Sequence, residues 1–224
     1  MKIKTNLHLH TGDDPKDNIK YSTHEAIDKA KKFGFDALAL TCHTKTTYTK
    51  EYADYANQKG ILLIPGIEAR IENRDVIILN CNETTEDIKT FEGLKKYKKE
   101  NPEIFIMAPH PFVTSTKSLF SKLEQNMDLF DAIELTVFSN KFFNFNKKAT
   151  KIAKKYNKPL VATSDTHSLK NLDKGYVIIN AKEKSIPAIF QAIKNNQTKN
   201  KLQPFSTWRM LKFRINGIVR KYLS

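Results

Sequence analysis

ALALTCH (37–43), YTKEYADYANQKG (48–60) and ILLIPGIEA (61–69) read in order as strand, helix and strand. The two apolar runs are too short for helices and end in turn residues or polar groups. The same order holds upstream, where KIKTNLHLH (2–10) reads as a strand and THEAIDKAKKFG (23–34) as a helix. Ser22 and Thr23 are caps for that helix, Gly34 stops it, and Ala26, Ala30 and Phe33 give it an apolar stripe. Downstream, RDVIILNCN (74–82), IFIMAPH (104–110), FDAIELTV (130–137) and PLVATSDTH (159–167) read as strands. TTEDIKTFEGLKKYKKEN (84–101) and NKKATKIAKKYN (146–157) read as helices. GYVIINAKEKSIPAIFQAIKNNQ (175–197) offers a last strand and helix, with Ile186, Ile189, Phe190 and Ile193 at helical spacing. Such alternation predicts a β/α architecture, and nothing repeats at a fixed period.

With 224 residues, 40% of them hydrophobic, the chain can bury one sizeable core. The expected organisation is one domain over 1–197 and a basic amphipathic tail over 198–224. No apolar run is long enough to span a bilayer and the N-terminus enters a strand, so a cytoplasmic location is expected. Cys42 and Cys81 are too few for a disulfide framework. The formal charge of +14 favours anionic partners, among them phosphorylated small molecules, nucleic acid and acidic lipid, without choosing among them. Many of the lysines fall on helix faces, as in KKYKKE (95–100), where a solvated surface is the ordinary explanation.

Five of the six histidines share one place in the pattern, at or just after the carboxyl end of an apolar strand: His8, His10, His43, His110 and His167. Only His24 lies in a helix start. In β/α barrels those strand ends converge on one face, where active sites are built. Asp13, Asp14, Glu68, Glu134 and Asp165 fall in the same places. Strand alternation puts His8 and His10 on one face, close enough to grip one ion, and Asp165 and His167 repeat that spacing. Imidazole with carboxylate suits zinc, manganese or iron. His8, His10, Asp14, His43, Glu68, His110, Glu134, Asp165 and His167 exceed what one ion can use, so two or three divalent ions are expected.

NLHLHT, GFDALALTCHT, ILLIPGIEAR, IMAPHPF and VATSDTHSL resemble, in order, the motifs of the PHP (polymerase and histidinol phosphatase) family, across roughly residues 3–195. The resemblance implies a distorted barrel of seven β/α units, a trinuclear site at the strand ends and phosphoester hydrolysis. It implies that His8, His10, Glu68 and Asp165 hold one ion. Glu68 then bridges to a second ion held also by His110, and His43 and His167 hold a third. Asp13, Asp14 or Asp17 in the shortened GDDPKD loop would join the third ion, with Asp14 preferred. Glu134 or Asn140 would complete the second. One position departs from the family pattern: Cys42 stands where an Asp or Asn usually precedes the second-motif histidine, which weakens any support that neighbour gives His43.

The expected reaction is attack on phosphorus by a metal-bound water positioned by Glu68, Asp165 and His167. Arg70 and Lys45 follow ligand-bearing strands and are the candidates to clamp phosphate, Arg70 by its planar fork. A phosphomonoesterase acting on a small phosphorylated metabolite or nucleotide is the leading expectation. The rivals are a nuclease or phosphodiesterase on nucleotides or nucleic acid, and a non-catalytic interaction module. In the tail, Ser206 is a helix cap and Trp208, Leu211, Ile215, Ile218, Val219 and Tyr222 share a face. That face is expected to dock on the barrel, with membrane-surface contact as the secondary reading.

Overall fold

A computed structural model describes residues 1–208 and 210. Ten strands form two five-stranded sheets. The first contains β1 (Lys2–Asn6), β2 (Ala37–Ala39), β3 (Leu62–Ile64), β9 (Gly175–Asn180) and β10 (Thr198–Leu202), in the order β10-β9-β1-β2-β3. The second runs β4-β5-β6-β7-β8, from β4 (Gly66–Ile71) and β5 (Arg74–Leu79) through β6 (Phe105–Ala108) and β7 (Ala132–Thr136) to β8 (Leu160–Thr163). Isolated parallel bridges, Leu9 to Thr166 and His43 to Glu68, tie the sheets together. The chain is therefore a mixed α/β fold, and no closed barrel is assigned among the described residues. Pairing is also mixed: β4, β5 and β6 are successively antiparallel, and β9 runs antiparallel to both β1 and β10.

The apolar runs are continuous because the strands are buried on both faces. Ile77 and Leu79 of β5, with Phe105 and Met107 of β6, pack into a core completed by Ile3, Ile64, Val161, Val177 and the helix α6 (Ile186–Lys194). Their alternates, Val76, Ile78, Ile104 and Ile106, pack outward against α3 (Phe91–Glu100) and α5 (Phe145–Lys155). A third cluster joins Leu38 and Leu40 to α1 (Thr23–Lys32) and α2 (Lys50–Gln58). Ser22 caps α1 with a full capping box through Glu25, and Ser185 caps α6 ahead of Pro187.

Several expectations change. ILLIPGIEA is not one strand: it breaks at Pro65, and its halves β3 and β4 enter different sheets. Gly66 is required at that crossing, because a Cβ there would lie 2.8 Å from Leu79 Cδ2 and 2.9 Å from the Leu40 carbonyl oxygen. The helix expected over 84–101 divides into a 3-10 turn at Glu83–Asp87 and α3. A short α4 (Ser121–Gln125) was not anticipated. Thr198–Leu202, placed in the tail by sequence, is the edge strand β10. Ser206 begins a helical turn, but the amphipathic face of Leu211, Ile215, Ile218, Val219 and Tyr222 lies outside the described residues. No helix among the described residues is long and apolar enough to cross a membrane.

Candidate metal centre

The backbone beyond β1 is held from three sides. His10 N–H donates to Thr166 O at 3.2 Å, Leu9 N–H donates to Thr41 Oγ1 at 3.0 Å, and the Tyr21 hydroxyl donates to the His10 and Thr166 carbonyls. Period-2 alternation then turns His8 and His10 to one face, where both are fully buried. On β4, Ile67, Ala69 and Ile71 pack into the outer core, so Glu68 and Arg70 face the opposite way. The bridge from His43 to Glu68 brings the end of β2 alongside. His110 and Asp165 follow β6 and β8 in left-handed backbone conformations, with φ of 26° and 45°. Such conformations cost about 1–3 kcal/mol each and aim a side chain where a regular strand would not.

These elements converge. His8 Nε2 lies 3.0 Å from His10 Nε2, 3.3 Å from Asp165 Oδ1 and 3.6 Å from Glu68 Oε2. His43 Nε2 lies 3.1 Å from Glu68 Oε2, and His110 Nε2 lies 3.1 Å from Glu68 Oε1. Three groups have ligand atoms close enough to share an ion: His8, His10 and Asp165; His8, Glu68 and His110; and His10, His43 and His167. The three groups draw on seven side chains, His8, His10, His43, Glu68, His110, Asp165 and His167, all of them among the candidates taken from sequence.

A second ring of carboxylates lies behind the imidazoles. Glu134 Oε2 sits 2.9 Å from His8 Nδ1, and both side chains are completely buried. Asp14 Oδ2 lies 2.8 Å from His10 Nδ1 and 2.9 Å from His43 Nδ1, and it accepts from His43 N–H at 2.9 Å. Its Oδ1 accepts from the Lys16 and Asp17 amides. Both oxygens of Asp14 thus meet protein donors, and its carboxylate lies on the Nδ1 side of the His10 and His43 rings. Asp17 is the loop carboxylate beside the third group, 2.9 Å from His167 Nε2 and 3.8 Å from His43 Nδ1. Asp13 faces elsewhere, accepting from Thr23 and Tyr52. Cys42 is a buried thiol against Thr11, and Asp14 supplies to His43 the support the cysteine lacks.

Asn140 lies in the loop after β7. Its side chain closes its own loop, accepting from the Phe142 and Phe143 amides and donating to the Phe205 carbonyl. Arg70 is held by Asp75, its cross-strand partner, at 2.8 Å. Lys45 is exposed and engages no acceptor among the described residues. Sequence reasoning missed Tyr21 and Asp75. Asp75 had a signal, since Arg70 and Asp75 fall opposite each other once β4 and β5 are paired as a hairpin.

The electrostatics suit cations. Burial disfavours a charged His8, but Asp165, Glu134 and Glu68 outweigh it and hold its pKa well above the ordinary imidazole value. Burial likewise opposes the charge on His110, and the Glu68 carboxylate raises its pKa to about 9. His167 rises to about 9 against burial through Asp165 and then Asp17. Burial pushes Glu68 and Asp165 the other way, yet His8 foremost holds both below the usual carboxylate range. Two buried oxygens, Glu134 Oε1 and Asp165 Oδ1, have no hydrogen-bond partner. Asp165 Oδ1 instead faces the His8 and His10 Nε2 atoms at 3.3 and 3.4 Å, and buried carboxylates set among clustered imidazoles are the donor set of a borderline divalent ion, so the residues fit such a metal.

Residues 143–198 match the PHP-associated family model, and no curated protein matches the sequence. Similar structures include a two-domain protein containing a predicted PHP-like metal-dependent phosphoesterase from Bacteroides vulgatus ATCC 8482, with TM-score 0.70 and 21% identity over 90% of this chain and 65% of that one. PsfC from Pseudomonas syringae PB-5123 gives TM-score 0.67 at 16% identity over 100% and 99% of the two chains. A lesion-specific endonuclease from Pyrococcus furiosus gives 0.64 at 14% identity over 90% and 57%. At these identities the likeness is one of fold, and this chain spans less than two thirds of the first and third of these proteins.

Proposed function

Starting from a PHP-like chain, in its fold and in its PHP-associated segment, we propose a metal-dependent phosphoesterase that hydrolyses a phosphomonoester on a small metabolite or nucleotide. The observation that carries this reading is the meeting of His8, His10 and His43 Nε2 with the buried Glu68 and Asp165 carboxylates, 3.0–3.6 Å apart. His8, His10 and Asp165 would hold one ion. Glu68 and His110 would hold a second, and His43, His167 and Asp17 a third. Zinc, manganese or iron suits these donors. The continuity of the two sheets through their bridges favours a distorted seven-unit barrel around this centre.

When bound, such ions supply Lewis acidity toward phosphate oxygens and acidify water. The protein's own groups do the rest. Glu134 and Asp14 hold the Nδ1 atoms of His8, His10 and His43, fixing the ring orientations that turn Nε2 inward. Glu68 and Asp165 stay ionised and line the floor of the site. His167, the most exposed of the cluster histidines, is paired with Asp17 and can hold a proton at the site's edge. Arg70, anchored by Asp75, offers the remaining guanidinium donors to a substrate phosphate. Lys45 adds positive charge nearby.

A nuclease reading draws on the exposed Phe142 and Trp208, 81% and 78% accessible, as stacking platforms in a chain of charge +14. Assay of the purified chain on an aryl phosphate and on single-stranded oligonucleotide, each with and without added manganese, separates the two. Manganese-dependent release of phosphate from the aryl ester, with intact oligonucleotide, is the expected result. Cleavage of the oligonucleotide alone would favour the nuclease, and neither activity would overturn the catalytic reading.

A further inference from the structure

At the opposite ends of β7 and β8 from the histidine cluster, two lysines meet one carboxylate and a third lies beside it. Asp131 immediately precedes β7, and Lys158 lies two residues before β8. Since Ile133 pairs in register with Leu160, Asp131 and Lys158 are neighbours across the same parallel ladder. Lys98 reaches in from α3, its ammonium 3.1 Å from each Asp131 oxygen and 2.7 Å from the Leu129 carbonyl. Lys194 reaches in from the end of α6, 3.4 Å from Asp131 Oδ1.

Asp131 is already fully used. One oxygen takes Lys98 and Lys194, and the other takes Lys98 and the Ile106 amide at 2.9 Å. Among the described residues Lys158 is left with no acceptor, and it is not a free surface lysine. Burial lowers its pKa, Asp131 and Asp128 oppose that, and the adjoining Lys98 and Lys194 add to it. Lysine heads ordinarily swing out to water. Here two are held against one carboxylate while a third, half-buried, lies beside it across the ladder, leaving a surplus of positive charge around Asp131. The nearest further acid, Asp128, lies beside Lys95 at 3.9 Å and is largely exposed.

We propose that Lys158 and Lys194, with Lys98 as the fixed member, form a binding site for a multiply charged phosphate group on the face opposite the metal centre. The cluster is compact, gathered around a single carboxylate, and ammonium groups act as point charges toward phosphate oxygens. That geometry suits one phosphate group better than an extended strand. The site is independent of the histidine cluster and of the activity proposed for it.

The test is isothermal titration of the full, metal-loaded chain with inorganic phosphate, repeated on Lys158→Gln/Lys194→Gln and, as control, on Arg70→Ala. The unmodified chain should show two classes of site. The double lysine variant should lose one class by about tenfold or more in affinity while keeping the other. Arg70→Ala should show the reverse, and aryl phosphate hydrolysis should be unchanged in the lysine variant. Cosedimentation with vesicles of phosphatidylcholine and phosphatidic acid identifies the carrier of the phosphate: binding that the double variant abolishes assigns a lipid headgroup, and no vesicle binding assigns a soluble anion. Identical phosphate binding in the double variant and the unmodified chain, with no lysine-dependent vesicle binding, would overturn the proposal.

Discussion

Replacing Asp14 with Asn separates a carboxylate that orients ligands from one that is itself a ligand. The Asp14 Oδ2 atom serves His10 Nδ1 at 2.8 Å, His43 Nδ1 at 2.9 Å and the His43 amide at 2.9 Å. Asn keeps the shape and the loop hydrogen bonds but removes the charge that holds two imidazoles in one tautomer. Loss of a single partner of this kind typically costs 10- to 100-fold in metal affinity. Because Asp14 supports two histidines at once, the expected loss lies near the upper end, about 100-fold or about 2.7 kcal/mol. Competition against a chelator of known affinity gives the constant, and elemental analysis at saturating zinc gives the number of ions per chain. The orienting role predicts weaker binding at an unchanged count. Asp17→Asn should lower the count, because Asp17 borders the His43 and His167 group directly. An Asp14→Asn chain that binds fewer ions at saturation, with the remainder held as tightly as before, would refute the reasoning.

The pH dependence follows from the raised imidazoles. His110 and His167 titrate near 9 in the metal-free chain, against an ordinary 6.5, and a protonated ring cannot ligate. Metal affinity should therefore climb from pH 6.5 to 9 with proton release, seen as a dependence of binding enthalpy on the buffer. The same shifts stabilise the metal-free fold below 6.5 and are lost as pH rises through 9, so its melting temperature should fall across that window, and saturating zinc should remove the decline. Gly175→Ala would put a Cβ 1.9 Å from the Thr163 carbonyl oxygen, a backbone clash that β8 and β9 cannot both accommodate. A loss of about 3 kcal/mol or more is expected, or roughly 6–12 °C in melting temperature by calorimetry. Arg70→Ala should lower kcat/KM for an aryl phosphate by roughly 10- to 100-fold while leaving the metal content unchanged, as measured by steady-state kinetics beside elemental analysis.

The strand ends were legible because apolar runs that stop at histidine or carboxylate mark where each strand leaves the core, and alternation turns His8 and His10 to one face; the left-handed turns that aim His110 and Asp165 leave no such signal. The convergence of His8, His10, His43, Glu68, His110, Asp165 and His167 follows from that placement. The GDDPKD loop was not legible. Three carboxylates within five residues have no period to separate them, and only the fold shows Asp14 turned to the Nδ1 atoms, Asp17 to His167 and Asp13 to Tyr52. Strand direction was hidden for a related reason. VIIL of β5 is apolar on both faces, so its pattern is the same whether it runs parallel or antiparallel to β4 and β6. The edge strand β10 read as tail because TKNKL is mostly polar, and an exposed edge needs no apolar alternation. The lysine cluster around Asp131 was read as ordinary solvated helix surface, since its members lie far apart in sequence and meet only when α3, α6 and the α5–β8 turn pack together.

A polynuclear metal centre built on His8, His10, His43, Glu68, His110, Asp165 and His167 has to bind more than one ion per chain. The most direct measurement is inductively coupled plasma mass spectrometry of the chain purified without chelator and reconstituted with zinc, set beside His8→Ala and Asp165→Ala. Two or three ions per folded chain are predicted, falling by at least one in each variant. A chain that stays folded and retains no ion after reconstitution, or the same ion count in both variants as in the unmodified protein, would contradict the account.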